Sequence, residues 1–104
     1  MLMTTSDDVA VREITETRGL VTANTVRARH VGRDVLAGLK NLVGGEIGAY
    51  QQLLTESRTE ALSRLEDAAT AEGADAIVAL RITTSSVAQG ASEILAYGTA
   101  VKLR

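Results

Sequence analysis

"IGAYQQLLTESRTEALSRLEDAATAEG", residues 47–73, decides the architecture. Ile47, Tyr50, Leu54, Ala61, Leu65 and Ala68 recur at steps of three, four or seven, and Leu53, Leu62 and Ala69 widen the same stripe. This spacing predicts one amphipathic helix over roughly 47–72. Glu60 and Arg64 support it as an i, i+4 pair. Gly73 ends it, because glycine enters the left-handed cap conformation without a Cβ penalty. Such a helix is about 38 Å long, enough to cross the face of a small sheet.

After the helix, "ADAIVALRITTSS" (74–86) alternates as a strand, with Val78, Leu80 and Ile82 on one side and Arg81, Thr83 and Ser85 on the other. "VAQGAS" (87–92) carries a turn at Gly90, and "EILAYGTAVKLR" (93–104) returns. In that last strand Leu95, Tyr97, Val101 and Leu103 oppose Ile94, Ala96, Gly98, Ala100 and Lys102. Both sides are largely apolar, which implies cover from outside a single subunit.

Before the helix, "RDVLAGLKNLV" (33–43) places Val35, Leu36, Leu39, Leu42 and Val43 at helical spacing, and Gly44-Gly45 stops it. Further back, "VAVREITETRGLVTAN" (9–24) is rich in Val, Ile and Thr and predicts a strand bent or bulged at Gly19, or two short strands. Asn24 or Thr25 is a candidate cap for a short turn. Residues 1–8 are expected to be a flexible N-terminus to one domain spanning 1–104. The expected class is α+β, in the order strand, short helix, long helix, strand, strand. A three-stranded antiparallel sheet packs on the long helix and keeps one open face and two edges that oligomerisation would close.

The composition narrows the chemistry. With 104 residues and Tyr50 and Tyr97 as the only aromatics, the core must be built from Leu, Ile, Val and Ala, which favours burying more surface in an oligomer. Cysteine is absent, excluding disulfides and thiolate-bound metals. No apolar run is long enough for a membrane span or a secretory signal, so a cytoplasmic location is expected. The net charge is −2, yet residues 18–45 carry Arg18, Arg27, Arg29, Arg33 and Lys40 against Asp34 alone. That basic stretch lacks interleaved aromatics, which argues against nucleic acid.

Candidate sites are few. The only histidine, His30, lies among Arg27, Arg29 and Arg33, a neighbourhood that repels cations, so no metal ligand is assigned. No nucleophile has a recognisable base partner, and "GGE" lacks the lysine of a phosphate loop. Glu66 and Asp67, as helical neighbours, point apart. What remains is a ligand- or anion-binding corner of Arg33, Asp34, Gly44, Gly45 and Tyr50, where helix N–H groups and nearby cations converge. Glu46 opposes an anion there with its own carboxylate.

"GLVTANTV", "GRDVLAGLKNLVGGEIGAY", "EGADAIVALR" and "SEILAYGTAV" together resemble the YbjQ-like family of small bacterial and archaeal proteins, whose label is heavy-metal binding. The similarity runs over about residues 9–102. It implies a dodecin-like subunit assembled as a homo-oligomeric ring, a pentamer. The expected function is a non-catalytic binding or scaffolding module without a cofactor, whose partner is itself. The alternative is a small-ligand, anion or metal site at subunit junctions.

Overall fold

The computed structural model describes residues 1–28, 45–88 and 91–104. Four strands and one helix appear: β1 (Leu2–Met3), β2 (Ile14–Ala28), α1 (Gly45–Ala71), β3 (Ala76–Ala88) and β4 (Ala91–Leu103). The helix lies where the apolar stripe predicts it. The short helix expected over 33–43 lies outside the described residues. The sheet order is β1-β3-β4-β2, with β4 antiparallel to both of its neighbours and β1 parallel to β3. The expected three-stranded antiparallel sheet is therefore corrected to a mixed four-stranded one. Leu2 and Met3 pair with Ala76 and Ile77, so the terminal segment expected to be flexible supplies an edge strand.

Over residues 51–71 of α1, full burial follows one i, i+4 line of Ser57, Ala61, Leu65 and Ala69. Three of the four are small, which lets the helix axis sit close to the sheet. Leu65 is the one large side chain on that line, and it joins Val21, Ile77, Leu80, Ile94, Ala96 and Ala100 in the main core. Thr25 Oγ1 donates to the Ser57 carbonyl at 3.3 Å across the same interface. The helix ends as expected. Gly73 has φ +74°, its N–H reaches Thr70 O at 2.9 Å, and the Ala74 N–H reaches Ala69 O at 3.1 Å. This pair of bonds is a Schellman cap.

Two strand expectations are corrected. Asn24 and Thr25 cap no turn, because β2 continues through them to Ala28 with each paired to β4. Gly19 (φ +112°) does mark an irregularity, a register shift between Thr17 and Gly19. The larger correction concerns β3. Its register jumps from Val78↔Thr99 to Arg81↔Tyr97, leaving Ala79 and Leu80 opposite Gly98 alone. Ala79 takes φ +52° in this bulge. An inserted residue reverses the side-chain alternation. Val78 therefore packs with Ala76 and Val101 on the far face, while Leu80 packs beside Ile77 under the helix.

The bulge explains the N-terminal strand. A bulge leaves amides without ladder partners, and the preceding segment supplies acceptors. Ala79 N–H donates to Ser6 O at 2.8 Å and Leu80 N–H to Thr4 O at 3.0 Å. The segment then crosses the far face, where Val9 packs with Ile14 and Leu103 against Ala76, Val78 and Val101. A second, smaller core results.

Two substitutions test these local arguments. A Cβ on Gly98 would stand 2.6 Å from Ile77 Cγ2 and 3.1 Å from the Val78 carbonyl. Gly98→Ala is expected to cost about 1–3 kcal/mol in urea unfolding, the usual range for overpacking. Val11 is fully exposed at φ +64°, in a turn closed by Arg12 N–H to Val9 O at 3.1 Å. That position favours glycine. Val11→Gly is expected to raise stability by about 0.5–1 kcal/mol, seen as a higher denaturation midpoint at unchanged slope.

Candidate functional site

The residues singled out from sequence are only partly described. Arg33, Asp34 and Gly44 lie outside the described residues. Gly45 opens α1 and Tyr50 falls within its first turns. The described backbone thus places two of the five at one helix end. His30 also lies outside, and Glu46 sits beside Gly45 in α1.

The polar groups that are described gather in three places. The first is the C-terminal end of α1. Arg18 Nε donates to Glu72 O at 2.7 Å, Arg18 Nη1 pairs with Glu16 Oε1 at 2.7 Å, and Lys102 Nζ donates to Gly73 O at 3.2 Å. Two cations thus meet the carbonyls and the negative end of the helix dipole. Beside them Asp75 Oδ2 accepts the Leu103 N–H at 2.8 Å, holding the start of β3 against the end of β4. The distinctive "GADA" and "GTAV" stretches are accounted for here. Gly73 caps, Asp75 pins β4, and Gly98 admits the bulge.

The second place joins helix to edge strand. Arg64 pairs with Glu60 at 2.6 Å and donates from Nη1 to the Asn24 carbonyl at 3.0 Å. Asn24 Nδ2 donates to Glu93 Oε2 at 3.0 Å. The expected Glu60–Arg64 pair therefore exists, and it is solvent-facing, worth a few tenths of a kcal/mol. Glu66, read as pointing away from Asp67, accepts the terminal amine of Met1 at 2.9 Å. Among the described residues, no three His, Asp or Glu side chains stand where they would hold one metal ion.

The third place is the far face of the sheet beyond the small core. Directly paired residues share a face, so Leu20, Thr22, Asn24 and Val26 of β2 lie with Glu93, Leu95, Tyr97 and Thr99 of β4 and with Arg81, Thr83 and Ser85 of β3. Leu20 is 72 %, Val26 54 % and Tyr97 36 % exposed. The apolar alternation of β4 signalled this face in advance. The β2 half was missed because Leu20 and Val26 are separated by polar Thr22 and Asn24. This surface offers hydroxyls, an amide and apolar side chains together with the charged Glu93 and Arg81, a mixed chemistry suited to contact. No described helix is long and apolar enough to cross a membrane.

The comparisons agree with the resemblance in sequence. The model of a family described as "Putative heavy-metal-binding" matches residues 1–104. A UPF0145 protein of Photobacterium profundum is 61% identical over 103 residues, covering 99% of this chain and 100% of that one. A UPF0145 protein of Archaeoglobus fulgidus is 55% identical over 104 residues, covering 100% and 96%. These names state no activity. A crystal structure of a protein of unknown function in the DUF74 family, from Pediococcus pentosaceus, shares the fold with a TM-score of 0.67 at 20% identity, covering 100% and 98% of the two chains. With the match spanning the whole chain and relatives above half identity in both bacteria and archaea, the chain belongs to the YbjQ-like family, UPF0145.

Proposed function

We propose that the protein is a cytoplasmic, non-catalytic subunit of a homo-oligomeric ring, a pentamer by family resemblance, acting as a binding or scaffolding module. The observation that carries this reading is the sheet face bearing exposed Leu20, Val26 and Tyr97, which no described residue of the same chain covers. The shape supports it. The radius of gyration is 17.1 Å, against roughly 13 Å for a globular domain of this length. The long axis is 53 Å and the shortest 16 Å, so the chain is elongated and flat rather than round. Sedimentation velocity at micromolar concentration is expected to show one oligomeric species; a stable monomer would sink the reading.

A second reading is a small-ligand, anion or metal site at the subunit junctions, the metal version being the one that the family's description favours. Arg33, Asp34, Gly44, Gly45 and Tyr50 are its candidate residues, with the N–H groups at the start of α1 favouring an anion. Thermal-shift screening against divalent metals and phosphorylated metabolites tests it. A ligand present at a hundred times its dissociation constant is expected to stabilise the protein by about 2.7 kcal/mol. No shift with any compound at high excess would leave the scaffold reading alone.

A further inference from the structure

We propose that β3 has two registers and that the N-terminal residues Thr4–Ser6 select between them. Docked, they hold the bulge at Ala79 and Leu80. Released, they let Leu80–Ser86 slide by one residue along β4, which turns Leu80 and Ile82 onto the far face. The device lies within one subunit and needs no neighbouring copy.

The bulge is supported from outside the ladder. Its amides, Ala79 N–H and Leu80 N–H, donate to the carbonyls of Ser6 and Thr4 at 2.8 and 3.0 Å. Arg81 Nη1 donates to Thr5 O at 2.9 Å, and Thr4 N–H returns a bond to Ile77 O at 2.9 Å. Met3 and Val9 anchor the segment at its two ends, each packed against one of the cores. Between them Thr5, Ser6, Asp7 and Asp8 are exposed, so backbone bonds at the surface do the holding. Such contacts open more readily than a packed core. Once they open, two amides lose their acceptors and Ala79 is left at φ +52°, a left-handed conformation that disfavours any side chain.

The sequence already matches the second register. Val78, Leu80 and Ile82 alternate with Arg81, Thr83 and Ser85 without a break. An unbulged strand keeps the three apolar residues on one face. With the bulge, Val78 alone of the three stays on the far face, and Ile82, paired with Ala96 on the helix face, is 39 % exposed there. Sliding by one residue opposes Leu80 to Tyr97, Ile82 to Leu95 and Thr84 to Glu93, continuing the line of Val78↔Thr99. The displaced residue passes to the register shift already present between Ser86 and Ala88. The slide costs Leu80 its place under the helix and relieves the strain at Ala79. Leu80 and Ile82 then join Leu95, Tyr97 and Leu20, and Arg81 leaves that face. A ligand that prefers an apolar far face draws the equilibrium toward the slid register.

The chain has no cysteine, so paired thiols report the register in the full chain. A disulfide needs both Cβ atoms on one face and close together. Thr83→Cys with Leu95→Cys is opposed in the bulged register, and Ile82→Cys with Leu95→Cys is opposed only after the slide. Thr84→Cys with Leu95→Cys is directly opposed in neither and reports closure through unfolding. Each double variant is oxidised in a glutathione buffer, and the intramolecular disulfide is followed by mass and by monomer migration on a non-reducing gel. The Ile82–Leu95 pair is expected to close more slowly than the Thr83–Leu95 pair and at least fivefold faster than the Thr84–Leu95 pair. Ala79→Gly removes the left-handed strain of the bulge and is expected to slow closure of the Ile82–Leu95 pair about fivefold. Thr4→Pro deletes the bond to Ile77 and is expected to speed it by a similar factor. Where Thr4→Pro does not fold, Val9→Ala, which weakens the anchor on the far face, takes its place. Closure of the Ile82–Leu95 pair no faster than that of the Thr84–Leu95 pair overturns the proposal. So does a rate that Ala79→Gly leaves unchanged. A rate that answers to Ala79→Gly and to neither N-terminal variant overturns the selection by Thr4–Ser6.

Discussion

The mismatch of two residues on β3 against Gly98 on β4 is the constraint on which the rest of the fold depends. It changes which face of β3 looks at the helix. Below it, Ala76 and Val78 point away from α1; above it, Leu80 points toward α1. One strand thereby serves two cores. The freed amides of Ala79 and Leu80 draw in Ser6 and Thr4, and this fixes the path of the N-terminal segment over the far face. A side chain at position 98 would strike Ile77 and the Val78 carbonyl, so the glycine and the bulge exist together.

Much of the secondary structure was legible because its signals are local. The apolar stripe, Gly73 and the alternation of β4 each depend on neighbours within a turn or two of chain. The bulge was not legible. "AIVALRITT" alternates without a glycine or proline to mark an interruption, and the compensating glycine lies on another strand. β1 was hidden for a related reason. Two residues ahead of a polar run have little strand signal, and they pair with Ala76 and Ile77 far along the chain. Asn24 and Thr25 have capping chemistry, but β4 offers them a ladder, and tertiary pairing outweighs local preference.

The site was less legible than the fold. Gly73 was legible as a cap, whereas the duties of Asp75 and Gly98 needed a third dimension. Asp75 holds an amide at the other end of the chain, and Gly98 accommodates a distortion on a neighbour. The basic stretch divides. Arg18 is spent on the helix C-terminus, while Arg33 and Asp34, with no local pattern to anchor a role, fall outside the described residues. The far face was half visible. The apolar alternation of β4 announced it, and the polar spacing of β2 concealed the rest.

The position of β4 has a consequence for how the protein is made. β4 lies between β3 and β2 in the sheet and follows both of them in the chain. β2 pairs with it from Ile14↔Leu103 to Ala28↔Ala91, and β3 pairs with it in turn. During translation β2 has no described ladder partner until β4 has been made, and a long loop must close to bring the two together. The sheet therefore forms only once β4 is present, with a strand rich in Thr and Val waiting unpaired in the interval. Such chains fold slowly and are aggregation-prone until the last strand arrives.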